Sequence, residues 1–206
     1  MRVKLLILST LVALSTLIGC AEQPEPTSPE PVITDMRIYF PTNPASTWSY
    51  AGYGNEFAAF TRKVLLKQGD QVQIMEDNGG TRMGQVYQVT AETVIQTYST
   101  EEYYSDKNLL GEKSNRHLIL LKAPLKAGAV WQDDRDKHEV LSINETVQVP
   151  AGTFSKVIKV KITSLDSQQE AWQFEYYAPH TGLIMREFMG KDYAIASKLK
   201  VFTDSR

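Results

Sequence analysis

The sequence predicts an all-β protein, an antiparallel meander of about ten strands in one domain that closes into a barrel or a curved half-barrel. Two observations predict it. From Met36 to Phe202 apolar residues recur with period two, the spacing of strands with one dry and one wet face. Tight-turn residues interrupt that pattern at short intervals, as hairpin connections require. No stretch of this region carries a convincing 3.6-residue period. A sheet of that many strands curls or closes because closure removes unpaired edges. A two-sheet sandwich is the alternative.

The elements before that domain come first. Arg2 and Lys4 give a positive start, and Leu5 to Ile18 run for 14 residues without a charge. A membrane-spanning helix needs about 20 apolar residues, so this stretch fits the apolar core of a secretory leader. It ends in Leu17-Ile18-Gly19-Cys20, which resembles the bacterial lipobox. That resemblance implies cleavage after Gly19 and lipidation of the Cys20 thiol, which becomes the first residue of the mature chain. The leader therefore spans residues 1–19. The implied place is the extracytoplasmic face of the cell membrane, or of an outer membrane where the host has one.

Residues 20–35 read as a tether. Between Ala21 and Pro31 there are four prolines and three glutamates, a composition that builds neither helix nor sheet core. Extended at about 3 Å per residue, those eleven residues would hold a folded domain ~30 Å from the bilayer. Cys20 is the only cysteine, which excludes a disulfide and a thiolate metal site in the domain at 36–206. The whole chain carries a formal charge of −2, and loss of Arg2 and Lys4 with the leader moves it to −4. Neither value favours nucleic acid as a partner, which calls for a concentrated basic face.

Within the domain, Val72, Ile74 and Glu76 alternate with Gln71, Gln73 and Met75. Ile158, Val160 and Ile162 share one parity with Phe154, opposite Lys159 and Lys161. Trp172, Phe174 and Tyr176 alternate with Gln173 and Glu175, and Tyr193, Ile195, Leu199 and Val201 line another strand face. Gln68-Gly69-Asp70 and Asp77-Asn78-Gly79-Gly80 are hairpin signals, and Pro150-Ala151-Gly152, His180-Thr181-Gly182 and Gly190-Lys191-Asp192 mark further reversals. Ser99 to Asn115 is the least regular part; Asn108-Leu109-Leu110 there reads as a short helix or a loop.

Several runs carry a family resemblance. Tyr39-Phe40-Pro41, Trp48-Ser49-Tyr50, Pro124-Leu125-Lys126-Ala127-Gly128, Val149-Pro150-Ala151-Gly152-Thr153-Phe154 and Tyr176-Tyr177-Ala178-Pro179 with Gly182-Leu183 resemble an uncharacterised envelope lipoprotein family of clostridial-type bacteria. The likeness runs through nearly the whole mature domain. It implies a fold and an envelope location, and it brings no catalytic residue with it.

The residues themselves offer little chemistry. His117, His138 and His180 lie in no ligand-like spacing and read as surface or strand residues. No Gly-x-Ser-x-Gly elbow is present. Asp133-Asp134-Arg135-Asp136 lacks the glycine and terminal glutamate of a calcium loop and reads as a solvated turn. Glu56, Glu101 and Glu102 are the carboxylates that a dispersed glycosidase-like pair would draw on. Aromatic doublets are more suggestive, because neighbours on a strand point to opposite faces. Tyr103, Tyr104, Tyr176 and Tyr177 thus form a candidate exposed aromatic surface for stacking on a sugar or an apolar partner.

These readings lead to a non-enzymatic binding or structural module of the cell envelope, held by its N-terminal lipid, with no cofactor and no metal. An apolar ligand, a glycan or an envelope protein is the expected partner. The alternatives are a half-barrel carrier of lipid or lipoprotein with an open apolar concavity, and a hydrolase with a dispersed carboxylate site.

Overall fold

The computed structural model describes residues 31–105, 107–166 and 171–205. The leader, Cys20 and the tether as far as residue 30 lie outside the described residues. Twelve strands form among those described: β1 (Thr47–Tyr53), β2 (Phe60–Gln68), β3 (Gln71–Asp77), β4 (Arg82–Val89), β5 (Thr93–Thr100), β6 (Leu118–Lys122), β7 (Val130–Gln132), β8 (Asp136–Val149), β9 (Gly152–Ser164), β10 (Trp172–Ala178), β11 (Gly182–Met189) and β12 (Ala194–Thr203). They make one antiparallel sheet in the order β6-β5-β4-β3-β2-β1-β12-β11-β10-β9-β8-β7, rolled into a nearly closed barrel. The count exceeds the expected ten or so because alternation fails in two places. Leu118-Ile119-Leu120-Leu121 is apolar throughout, and β7 has three residues, too few to show a period.

The strands follow one another antiparallel around the sheet, so alternate connections fall at opposite ends. One end is plugged by the chain that precedes β1. Ile33 pairs with Leu125 in the β6–β7 connection, and Met36 N donates to Ala91 O in the β4–β5 turn. A 3₁₀ turn over Met36–Tyr39, capped by the Asp35 side chain, then lays Met36 into the barrel with none of its surface exposed. Burial of such a side chain stabilises by roughly 1.5–3 kcal/mol. His180 N donates to Ile38 O from the β10–β11 turn, and Trp48 Nε1 donates to Thr181 O at 2.7 Å. The folded unit therefore takes hold at Ile33, and the chain enters it at the plugged end.

Inside the plugged half lies the main core: Val64, Val72, Val94, Leu121, Val140, Ile158, Val160, Ile184 and Leu199 are all fully buried. A smaller core forms on the outside of the barrel. The irregular segment after β5 folds back over β3 and β4, with Tyr103 and Leu109 packed on Val86. Gln73, on the outward face of β3, pins it: its Oε1 accepts from Leu109 N at 2.8 Å and its Nε2 donates to Lys107 O at 2.9 Å. Gly84 leaves the space for this flap, since a Cβ there would sit 2.7 Å from both the Tyr103 ring and Leu109. Asn108-Leu109-Leu110 is a loop within it.

The parity of β10 departs from expectation. The alternation there suggests an aromatic face turned to the core and a Gln173/Glu175 face turned to water. Register places the polar set inward: Gln173, Glu175 and Tyr177 pair with Ile162, Val160 and Ile158. Trp172, Phe174 and Tyr176 point outward, beneath the ammonium groups of Lys159 and Lys161 at 5.0–5.4 Å from the ring centres. Inward polarity is tolerated because the facing strands supply opposite charge.

Candidate functional site

The unplugged half of the barrel holds polar side chains in place of a continuous apolar core. β2 contributes Arg62, β3 Glu76, β4 Gln85 and Tyr87, β5 Gln96, β10 Gln173, Glu175 and Tyr177, and β11 Arg186. Cross-strand register sets the pairs directly opposite one another: Arg62 faces Glu76, and Glu175 faces Arg186. Arg62 Nε lies 3.1 Å from Glu76 Oε2, off the line of a hydrogen bond, while Arg186 Nε donates to Glu175 Oε1 at 2.9 Å. Arg62 Nη2 donates to the Tyr87 hydroxyl at 2.9 Å, which itself donates to Gln85 Oε1 at 2.9 Å and accepts from Gln96 Nε2 at 3.2 Å. Tyr177 donates its hydroxyl proton to Glu175 Oε2 in a short hydrogen bond.

Charge in this network is balanced, two guanidiniums against two carboxylates. Burial pushes the Glu175 carboxyl up, but Arg186 and the Tyr177 hydroxyl outweigh it and hold the group below its ordinary value. Tyr177 is driven well above the usual phenol range by burial and by the neighbouring Glu175 charge, so it stays a donor. These groups surround a cavity of about 250 Å³ that opens at the end opposite the plug. Two shallower bays adjoin it. One, of about 430 Å³, shares Glu76, Arg186 and Phe188 with it, and the other, of about 330 Å³, shares Asp136, Gln173 and Phe188. Phe57, Phe188 and Tyr193 stand on this rim with roughly half their surface exposed.

Beside the mouth, β6 and β7 are the two free edges of the rolled sheet, and side chains bridge them. Trp131 Nε1 donates to Ile119 O at 2.7 Å, and Asp133 Oδ2 accepts from Ile119 N at 3.0 Å. Asp133 also accepts from the backbone amides of Arg135 and Asp136 and meets His138 Nε2 at 3.1 Å. Burial opposes its charge, yet these donors together hold its carboxyl below the ordinary value. The His138 ring stacks on Trp131 with centroids 5.1 Å apart. Asp133, Asp136 and His138 bring donor atoms within 4.8 Å of one another, the grouping a cation would use. Four hydrogen bonds already occupy the Asp133 carboxylate, so the cluster reads as a clasp. Asp133 is thus a buried strut, where the sequence suggests a solvated turn.

The aromatic surface suggested by the doublets is not assembled. Tyr104 is exposed, 66% of its surface free, with Arg82 over its ring. Tyr103 is buried because the flap folds it onto Gly84 and Gln73. Tyr176 is covered by Lys159 and bonded through its hydroxyl to Glu187 at 2.7 Å. Tyr177 is 1% exposed because it turns into the lumen. Glu56 is exposed on the β1–β2 connection, and Glu101 and Glu102 are exposed together on the β5–β6 connection. The rim aromatics Phe57, Phe188 and Tyr193, and the lumen pair Arg62 and Arg186, escape a sequence reading. Only the odd placement of Arg62 within the strand Phe60–Val64, at an apolar parity, signals them.

The comparisons with known proteins bear on the fold. No family model matches the chain, and no curated protein matches it. Among solved structures, the chain is similar to a Parabacteroides distasonis ATCC 8503 protein described as a lipoprotein, at 16% identity and a TM-score of 0.52, over 81% of this chain and 98% of that one. It is also similar to a Bacteroides fragilis NCTC 9343 protein described as exported, with a YmcC-like fold, at 14% identity and a TM-score of 0.50, over 81% of this chain and 99% of that one. At these identities the likeness is one of fold: the rolled antiparallel sheet is shared with an exported-type protein and a lipoprotein-type protein over almost their full lengths.

Proposed function

We propose that this protein is an extracytoplasmic lipoprotein, anchored through Cys20, that acts as a non-enzymatic binding module with the barrel mouth as its ligand site. The observation that carries this reading is the division of the lumen. Its plugged half is filled by apolar side chains, and its open half keeps a polar cavity of about 250 Å³. A concave site with a few convergent polar groups is the usual form of a ligand pocket. The filled apolar half counts against a carrier with an open greasy concavity. Glu76 and Glu175 each face a guanidinium and Asp133 is held by backbone amides and His138, which suits fixed recognition better than proton transfer.

Export and anchoring rest on the leader, the Leu17-Ile18-Gly19-Cys20 run and the Pro/Glu tether. Descriptions of the two fold neighbours as exported and as a lipoprotein are in keeping with them. The described chain enters at the plugged end through Ile33, and the mouth is at the opposite end of the barrel.

Two measurements test the proposal. Cys20→Ser leaves an unprocessed, unlipidated precursor; mature size with retained lipid would overturn the anchoring. Native mass spectrometry of the mature lipoprotein, released in mild detergent, shows a bound small molecule that is absent from Gln173→Trp, in which the new ring fills the cavity. Identical spectra for the two proteins would overturn the mouth as a binding site.

A further inference from the structure

Resting on the mouth as a ligand site, we infer that its ligand is a neutral saccharide, taken end-on, with one sugar ring in the lumen and its neighbours in the rim bays. Three observations converge on this class. The first is charge. Arg62 and Arg186 face Glu76 and Glu175 in matched pairs, Asp133 is already saturated by its own donors, and Asp136 adds a further carboxyl to the lining. The mouth therefore offers no surplus positive field to hold a phosphate or a sulfate.

The second is unspent hydrogen bonding. Arg186 uses Nε on Glu175 and lies over the Phe60 ring, while its two Nη groups make no hydrogen bond among the described residues. Glu76 meets Arg62 through Oε2 alone, Gln85 accepts through Oε1 and leaves its amide NH₂ free, and Gln173 donates through Nε2 and leaves its Oε1 free. Covering these groups with an acyl chain would strip them of water and return nothing. Sugar hydroxyls each donate and accept, so adjacent hydroxyls satisfy flat groups of both kinds side by side.

The third is shape. The lumen cavity of about 250 Å³ lies just below the roughly 300–1,000 Å³ of small-molecule pockets, the scale of a single sugar ring. Phe188 lines it and both adjoining bays, with Phe57 in one bay and Tyr193 in both. Exposed rings around a polar pit offer flat apolar faces to the C–H face of a sugar while the pit reads its hydroxyls.

The test is calorimetric titration of the mature lipoprotein in mild detergent with maltotetraose, cellotetraose, mannotetraose and chitotetraose, beside oligogalacturonate, laurate and trialanine. Saturable binding of at least one neutral oligosaccharide is expected, weakened about tenfold in Phe188→Ala and in Gln173→Ala and kept in Phe188→Tyr. Urea midpoints of the variants check that they fold, and Phe188 stands on the rim where its loss leaves the core intact. Binding of laurate, trialanine or oligogalacturonate in place of every neutral sugar, lost in Phe188→Ala, would overturn the saccharide and leave the mouth standing. Sugar binding indifferent to both variants would overturn the mouth and this inference together, as would the absence of binding by every probe.

Discussion

Trp131 and Ile119 close the barrel: the indole Nε1 of one donates to the carbonyl of the other at 2.7 Å, across a seam where no backbone ladder forms. Asp133 completes the bridge by accepting Ile119 N at 3.0 Å. Two side chains thus take the place of a partner strand's donor and acceptor at Ile119, a point on an edge strand that would otherwise be free to pair with another chain.

Trp131→Phe keeps a ring on His138 but removes the donor. It is expected to lower stability by about 1–2 kcal/mol, read as a shift in urea midpoint at constant slope. Hydrogen exchange should speed up at β6 and β7 and stay unchanged at β1 and β12. Uniform acceleration would show that the seam is not a local clasp.

Acid dependence separates Asp133 from its neighbour Asp136. Asp133 and Glu175 lie below the ordinary carboxylate value, so their stabilisation is complete above about pH 4–5 and is lost as pH falls through their folded values. Asp136 is shifted the other way, by burial and by the charge of Asp133, so its ionisation opposes folding as pH rises past about 4. Asp136→Asn should therefore raise the urea midpoint at pH 7, with no gain at pH 3. Asp133→Asn should lower stability at pH 7 by about 1–3 kcal/mol, and by less at pH 3.

The lumen pair behaves as a unit. Arg186→Leu strands the buried Glu175 charge and is expected to cost about 3–5 kcal/mol. Adding Glu175→Leu should return most of that loss, because an apolar pair of similar volume needs no desolvation compensation. A double-mutant cycle by thermal unfolding measures the coupling; additive losses would show that the two residues act independently.

Gly84 is held small by the flap. Gly84→Ala drives a methyl against Tyr103 and Leu109 and should cost about 1–3 kcal/mol. Protection of the Leu109 amide, bonded to Gln73 Oε1, should fall while Ile74 and Val72 stay protected. Retained protection at Leu109 would show that the flap repacks freely.

The all-β class was legible because period two and turn chemistry are local, and Gln68-Gly69-Asp70 and Pro150-Ala151-Gly152 both fall at turns. Face assignment was less secure. In β10 the aromatic parity looked like the core face, and Tyr176 is buried, yet it is Glu175 that enters the lumen. An alternating pattern states that two faces differ; which one turns inward depends on what lies across the sheet, here Arg186 and Arg62. Tyr103 is buried for a related reason: the irregular segment that carries it folds onto Gly84 and Gln73, a surface its own sequence does not reveal.

By itself, then, the sequence determined the class of fold and the reversals, because each of these depends on neighbours within a few residues. Tertiary structure alone decided the closed end and the open one, the Trp131–Ile119 clasp and the paired charges of the mouth. Those features join residues far apart in the chain, Arg62 with Glu175 and Ile33 with Leu125, and only the rolling of the sheet brings them together.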